Sequence, residues 1–228
     1  MTKKTNILQF PVPHVPNTAT GELVELMARP LLKALELKDP YTYRHSLRVA
    51  YFGLTLGHEL GFNRDEMRTL ELSALLHDIG KIGIPDTVLQ KPERLNEAEF
   101  NIMKLHPEKS GELLSSILHC EDIMLAARHH HERYDGRGYP DRLAGEQIPT
   151  LARIILIADT FDAMTSTRPY REGLEHEIAF NELREFAGTQ FDPALVQSFI
   201  RGMQQDELLE ENTFYLPILR ENIQKKAA

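Results

Sequence analysis

One cysteine in 228 residues, Cys120, leaves no partner for an internal disulfide. A chain of this length can bury a sizeable core without covalent staples, so a lone thiol, read here as a core residue, fits a reducing compartment. Long hydrophobic runs are missing too, and none approaches the roughly 20 apolar residues that a membrane-spanning helix needs. Met1 to Phe10 carries two lysines but no apolar stretch ahead of a cleavage site, so no signal peptide is read there. These absences predict a cytoplasmic protein with no membrane partner. Positive charge is in short supply as well: 26 basic residues face 34 acidic ones, for a net charge of −8. A field of that sign repels nucleic acid polymers and anionic membranes. It does not exclude a small anionic ligand, because local arginines or metal ions can govern the potential inside a pocket.

Period-two alternation is scarce, so the predicted fold is all-α, a compact helical bundle. Residues 1–19 hold Pro11, Pro13 and Pro16 without periodicity and read as a disordered N-terminal arm, leaving 20–228 as one helical domain. Asp39-Pro40 is an N-cap and first-turn pair that opens a helix running to about Leu60, where Gly61 supplies the stop. Within it His45, Val49, Phe52, Leu56 and Leu60 form one apolar stripe. Asn63 with Glu66, and Asn96 with Glu99, are start signals for two further helices. The second of these leads to His106-Pro107, with His106 read as its end. Helices are also read over Glu121–Glu132 and Thr150–Met164, then over 175–187, 193–209 and 214–224. Between Gly136 and Pro149 lies a broken loop rich in Gly, Pro and Asp.

What the chain has in excess is histidine, ten of them, several clustered. His77-Asp78 closes an apolar helix, and adjacent side chains on a helix point about 100° apart, so the pair can grip one ion from neighbouring directions. The two oxygens of Asp78 allow it to bridge two ions. His45 lies on a buried stripe, where an imidazole is either a satisfied core residue or a ligand, and His106 is either a capping imidazole or a ligand. His129-His130-His131 follows an apolar segment, where a solvated tract is out of place. Asp159 ends the run Ile154-Ile155-Leu156-Ile157-Ala158, and burying its charge alone would be expensive. His45, His77, Asp78, His106, His130, His131 and Asp159 are all read on inward-facing parts of helices. Five imidazoles and two carboxylates suit two ions, and a nitrogen and oxygen set without thiolate suits iron, manganese, zinc or another first-row divalent metal. Two ions about 3.5–4 Å apart can clamp a phosphate, and phosphodiester hydrolysis is the chemistry such a pair serves. Lys81, Arg168 and Arg171 are basic groups placed to meet phosphate oxygens. Asp162 is either a hydrogen-bond partner to a ligand histidine or a charge on the helix surface.

Several linked strings resemble a known family. His77-Asp78 is the signature pair of the HD superfamily of metal-dependent phosphohydrolases. His77-Asp78-Ile79-Gly80-Lys81, His106-Pro107 with Gly111, and His130-His131-Glu132 leading to Asp135-Gly136-Arg137-Gly138-Tyr139-Pro140 resemble its HD-GYP subgroup. The match extends through Asp159 to Arg168-Pro169-Tyr170-Arg171 and covers roughly 40–200. The resemblance implies an HD-type bundle that hydrolyses cyclic di-GMP to the linear dinucleotide pGpG, and in some members on to GMP. It implies one metal on His45, His77, Asp78 and Asp159 and another on Asp78, His106, His130 and His131, most often iron or manganese, with a bridging hydroxide as nucleophile. It puts Lys81 on the substrate phosphate, with Arg168 and Arg171 as further contacts. Tyr139 and its Gly138-Tyr139-Pro140 loop would border the site and offer a surface for a protein partner, and a homodimer is admitted. Members with a third metal carry a glutamate one helical turn before the first ligand histidine. Here that position is Tyr41, so two metals and the linear product are expected. Family members often carry a receiver, sensor or membrane module ahead of this domain, and residues 1–19 are too short for one. Either the protein works alone or the chain is a piece of a longer one. The alternatives are a hydrolase of another cyclic dinucleotide and a non-catalytic module that binds cyclic di-GMP or a partner and signals by shape.

Overall fold

The computed structural model describes residues 19–116, 121–167 and 172–205. Cys120, Arg168, Arg171, the 214–224 segment and the predicted arm up to residue 18 lie outside the described residues, and Ala19 already opens the first helix. The helices are α1 (Ala19–Lys38), α2 (Pro40–Glu59), α3 (Arg64–Leu76), α4 (Asp86–Leu89), α5 (Glu97–Met103), α6 (His106–Ser115), α7 (Glu121–His129), α8 (Thr150–Thr165), α9 (His176–Glu185) and α10 (Pro193–Gln204). Short 3-10 turns lie at Ile79–Gly83 and Gly145–Gln147. The all-α reading holds: among the described residues the only β pairing is one isolated bridge between Ala187 and Phe191. None of the described helices is long and apolar enough to cross a membrane.

Local chemistry sets the helix starts. Asp39 caps α2 by accepting from the Tyr41 amide at 3.0 Å, with Pro40 in the first turn, where a missing N–H costs nothing. Asn63 and Asn96 each form a complete capping box, with Glu66 and Glu99 respectively. Gly61, at φ 73°, ends α2 in a conformation that side chains with a Cβ resist.

Helices α2, α3, α8 and α10 surround the core, and α6 and α7 pack against α3 and each other. Leu54, Leu56, Leu70, Leu75, Ile154 and Ile157 are fully buried. Phe161 stands at the junction of four helices, its ring 5.0 Å from Phe52, 5.4 Å from Phe180 and 5.1 Å from Phe199. Arg153, buried at the start of α8, holds Asp192 with a 2.5 Å contact and donates to the Ile148 carbonyl and Thr150. Asp192 in turn caps α10, so one buried ion pair fixes the relative position of two helix starts.

Three boundaries at the candidate site differ from expectation. His106 opens α6 rather than closing the helix before it. Pro107 reads as a stop, yet a proline in the first turn of a helix loses no hydrogen bond. Helix α7 ends at His129, short of Glu132, so His130 and His131 sit in the turn beyond it. Asp78 likewise follows the end of α3, so the candidate ligands cluster at helix ends as well as on helix faces. Helix α10 also stops at Gln204, earlier than the expected 209.

Candidate metal centre

Five segments bring the seven predicted residues together. His45 comes from α2, His77 and Asp78 from the end of α3, His106 from the start of α6, His130 and His131 from the turn after α7, and Asp159 from α8. His45, His77, Asp78, His106 and His130 are buried, while His131 and Asp159 are partly open to solvent. Two groups have ligand atoms close enough to share one ion: His45, His77 and Asp78, and then His106, His130 and His131.

Asp78 lies between them. Its Oδ2 faces the first group, 3.4 Å from His77 Nε2 and 3.8 Å from His45 Nε2. Its Oδ1 faces the second, 3.1 Å from His106 Nε2 and 3.9 Å from His130 Nε2. Asp159 Oδ1 closes the first group at 3.1 Å from His45 Nε2. Burial pushes the Asp78 carboxyl up, but Lys81 and the neighbouring imidazoles outweigh it and hold the group well below the ordinary carboxylate range. The same contest, with His45 as main partner, holds Asp159 down.

The imidazole tautomers follow from the backbone. His77, His106 and His130 each place Nδ1 against the carbonyl three residues earlier, of Ala74, Met103 and Ala127, at 2.7, 2.8 and 2.7 Å. A carbonyl only accepts, so each Nδ1 carries a proton, and each ring turns its Nε2 inward. Burial first, then the adjacent imidazoles, keeps His130 well below its ordinary pKa. Burial likewise takes His131 down to about 3. The Nε2 atoms of His106 and His130 face each other at 3.3 Å. His77 Nε2 and Asp78 Oδ1 are buried with no hydrogen-bond partner among the described residues. Buried polar atoms without partners are rare and costly, and a divalent cation is the group this donor set fits.

His45 differs. Its Nδ1 donates to Asp162 Oδ2 at 2.7 Å. Burial works against its charge, but the bonds to Asp159 and Asp162 outweigh it and raise it to about 9 without metal. Asp162 is fully buried, so it is not a charge on the helix surface, and it holds the candidate ligand His45. It also takes Arg48 in a fork at 2.5 and 3.0 Å and the Ser166 hydroxyl at 2.9 Å.

Sequence reasoning missed Arg48, 114 residues away from Asp162, because nothing in the local pattern links them. It also missed Ser110, whose hydroxyl donates to the His77 carbonyl at 2.9 Å and accepts from the Gly80 amide at 2.8 Å. A Cβ on Gly80 would fall 2.1 Å from the His106 carbonyl oxygen, so only glycine lets α6 approach this closely. Lys81 sits in the 3-10 turn, its ammonium 2.6 Å from Asp78 Oδ2. The 3-10 turn, rather than a continued α3, therefore places it. The Gly138-Tyr139-Pro140 loop borders the second group: the Tyr139 ring stacks on His131 at 5.0 Å, and its amide donates to the His131 carbonyl at 3.3 Å. Arg128 and His129 anchor the loop through Asp141, at 2.8 and 2.9 Å. His129, third member of the histidine run, thus serves the loop and not the centre.

Comparison with known proteins places the chain in a family. The HD domain family matches residues 30–195. A cyclic di-GMP phosphodiesterase response regulator, RpfG, of Xanthomonas campestris is 44% identical over 78% of this chain and 47% of its own length. A cyclic di-GMP phosphodiesterase of Thermotoga maritima is 39% identical over 73% of this chain and 46% of its own length. A 3'3'-cGAMP-specific phosphodiesterase of Vibrio cholerae is 36% identical over 79% of this chain and 43% of its own length. Among solved structures, a cyclic GMP-AMP specific phosphodiesterase of V. cholerae has the same fold, with a TM-score of 0.63 and 21% identity over 87% of this chain and 52% of that one. The chain belongs to the HD-domain family, in its HD-GYP type. It spans less than half the length of the curated relatives named here.

Proposed function

We propose that residues 20–228 form a metal-dependent phosphodiesterase domain that hydrolyses cyclic di-GMP to linear pGpG, using two divalent ions, iron or manganese. The observation that carries this reading is the pair of inward-facing groups joined by Asp78, with the buried His77 Nε2 and Asp78 Oδ1 left without partners. His45, His77, Asp78 and Asp159 would hold one ion, and Asp78, His106, His130 and His131 the other. Bound there, the ions would supply Lewis acidity toward a phosphate and an acidified water. The protein's own contribution is to fix the geometry: backbone carbonyls lock three imidazoles, and Asp162 locks His45. Lys81 keeps its charge because contact with Asp78 outweighs the cost of burial and raises it above its ordinary range. At the edge of the site it neutralises charge gathering on the phosphate oxygens and on the leaving oxygen. Arg168 and Arg171 serve as further phosphate contacts, and the Tyr139 loop walls the second group.

Tyr41 stands one turn before His45, part-exposed on α2, where a phenol is a poor third-metal ligand, so the reaction stops at the linear dinucleotide. Relatives named for 3'3'-cGAMP support a second reading, in which that nucleotide is the substrate. The deciding measurement is turnover of both cyclic dinucleotides by anaerobically purified protein, with bound metal quantified and Asp78→Ala as control. Two ions per chain, pGpG from cyclic di-GMP and loss of both in the variant are the expected results. Faster turnover of 3'3'-cGAMP would move the substrate assignment, and metal without turnover of either would favour a binding module. GMP as the dominant early product would overturn the argument from Tyr41.

A further inference from the structure

Helix α5 ends beside the centre and carries a cation that the site described so far does not use. Phe100 and Lys104 stand one turn apart, on one face, and Lys104 Nζ lies 4.7 Å from the centre of the Phe100 ring. The same ammonium is 5.8 Å from the centre of the Tyr139 ring, which in turn stacks on His131. Contacts thus run unbroken from Lys104 to an imidazole of the second group. Lys33, Lys38, Lys81 and Lys91 each hold a carboxylate. Lys104 faces aromatic rings instead, with no carboxylate of the described residues in ion-pair range. Phe100 is 46% exposed, a large apolar ring left in water at the rim of a polar site.

A cyclic dinucleotide carries two phosphodiesters in one macrocycle, so while one is cut the other must be paired or stay in water. In a chain of net charge −8, an anion held near the centre needs a local cation. Resting on the reading of the centre as a cyclic dinucleotide hydrolase, we propose that Phe100, Lys104 and Tyr139 form a subsite for the half of the substrate that is not cut. Lys104 pairs with the second phosphodiester, and the Phe100 ring stacks a base. A ring-held ammonium is easily redirected to an anion, because a cation–π contact at an exposed site is weak beside a charge-assisted hydrogen bond.

The test is steady-state kinetics of the metal-loaded full chain on cyclic di-GMP and on bis(p-nitrophenyl) phosphate, which has one phosphate and no second nucleotide. Bound metal is measured in every variant. Lys104→Ala is expected to raise KM for cyclic di-GMP about tenfold, a charge-assisted hydrogen bond being lost, and Lys104→Arg to restore most of it. Phe100→Ala should raise KM by a smaller factor. The loss of kcat/KM on the single-phosphate ester should be several-fold smaller than on cyclic di-GMP. Lys109→Ala, a surface lysine on α6, should leave KM where it is. An unmoved KM in Lys104→Ala sinks the subsite and leaves the hydrolase reading standing. Equal losses on both substrates, or loss of metal, also sink it and make Lys104 a support for Tyr139 and His131. Wild-type protein that cleaves the ester but neither binds nor cleaves cyclic dinucleotides overturns the hydrolase reading and the subsite together.

Discussion

His45 and Asp162 carry the most consequence at the scale of single residues. Without metal, His45 sits between two carboxylates, 3.1 Å from Asp159 and 2.7 Å from Asp162, and they raise it from 6.5 to about 9 against the cost of burial. A folded-state pKa above the unfolded one means the stabilising effect is complete below about 6.5 and is lost as pH rises through about 9. Metal-free wild-type protein should therefore lose up to about 3 kcal/mol between pH 6 and pH 10 relative to His45→Gln, read by urea denaturation at each pH. An imidazole must be neutral to bind metal, so metal uptake at pH 7.5 should also release a proton that His45→Gln does not release. Asp162 orients His45 and belongs to neither of the two candidate ligand groups. Asp162→Asn should cost about 10- to 100-fold in metal affinity, the usual range for a group hydrogen-bonded to a ligand, read by competition with a chelating dye. The sequence left Asp162 open between this role and a surface charge. Its partners come from another helix, and the choice depends on α2 packing against α8, which no local pattern encodes.

Helix ends are where the sequence was both most and least readable. Asp39, Asn63 and Asn96 were legible as helix starts because a cap is a local event, decided within four residues. His106 was misplaced because Pro107 can mark either end of a helix. The exit of α7 at His129 was not legible because its cause is distant. Gly138 packs so tightly on the backbone that a Cβ there would lie 2.5 Å from Glu132 Cα and 2.6 Å from the His131 carbonyl oxygen. The His130-His131 turn is thus shaped by a loop that returns to it, and seven residues legible as ligands by type reach one centre through contacts of that kind. Gly80 exposes the same dependence between elements. A methyl group there would meet the His106 carbonyl oxygen at 2.1 Å and the Ser110 amide at 2.4 Å, forcing α6 away from the end of α3. Gly80→Ala should destabilise the fold by about 3 kcal/mol, as overpacked sites do, and should reduce bound metal. Retention of both full stability and two ions would show that α6 can shift freely, against the close packing described.

For the molecule as a whole, the centre and the core are built from the same helices but stabilised by different things. Phe161, two residues from Asp159 and one from Asp162, packs against Phe52, Phe180 and Phe199 through apolar contacts alone. The inward Nε2 of His77 and Oδ1 of Asp78, by contrast, are buried with no hydrogen-bond partner among the described residues. Metal should therefore act as a folding ligand for the five segments that meet at Asp78, adding about 2.7 kcal/mol at one hundred times its Kd. In a chain of this size that corresponds to a Tm rise of roughly 5–10 °C. Thermal denaturation of chelator-treated protein with manganese added back tests the separation. Wild type should show a rise that grows with metal concentration, and Asp78→Ala should show almost none, because its loss removes a ligand from both groups at once. Phe161→Ala should start lower, by about 3–5 kcal/mol for a buried aromatic truncated to a cavity, yet keep most of the metal-dependent rise. If Phe161→Ala instead loses the metal response while Asp78→Ala keeps it, the stability of the centre comes from core packing, and Asp78 is not the residue that joins its two halves.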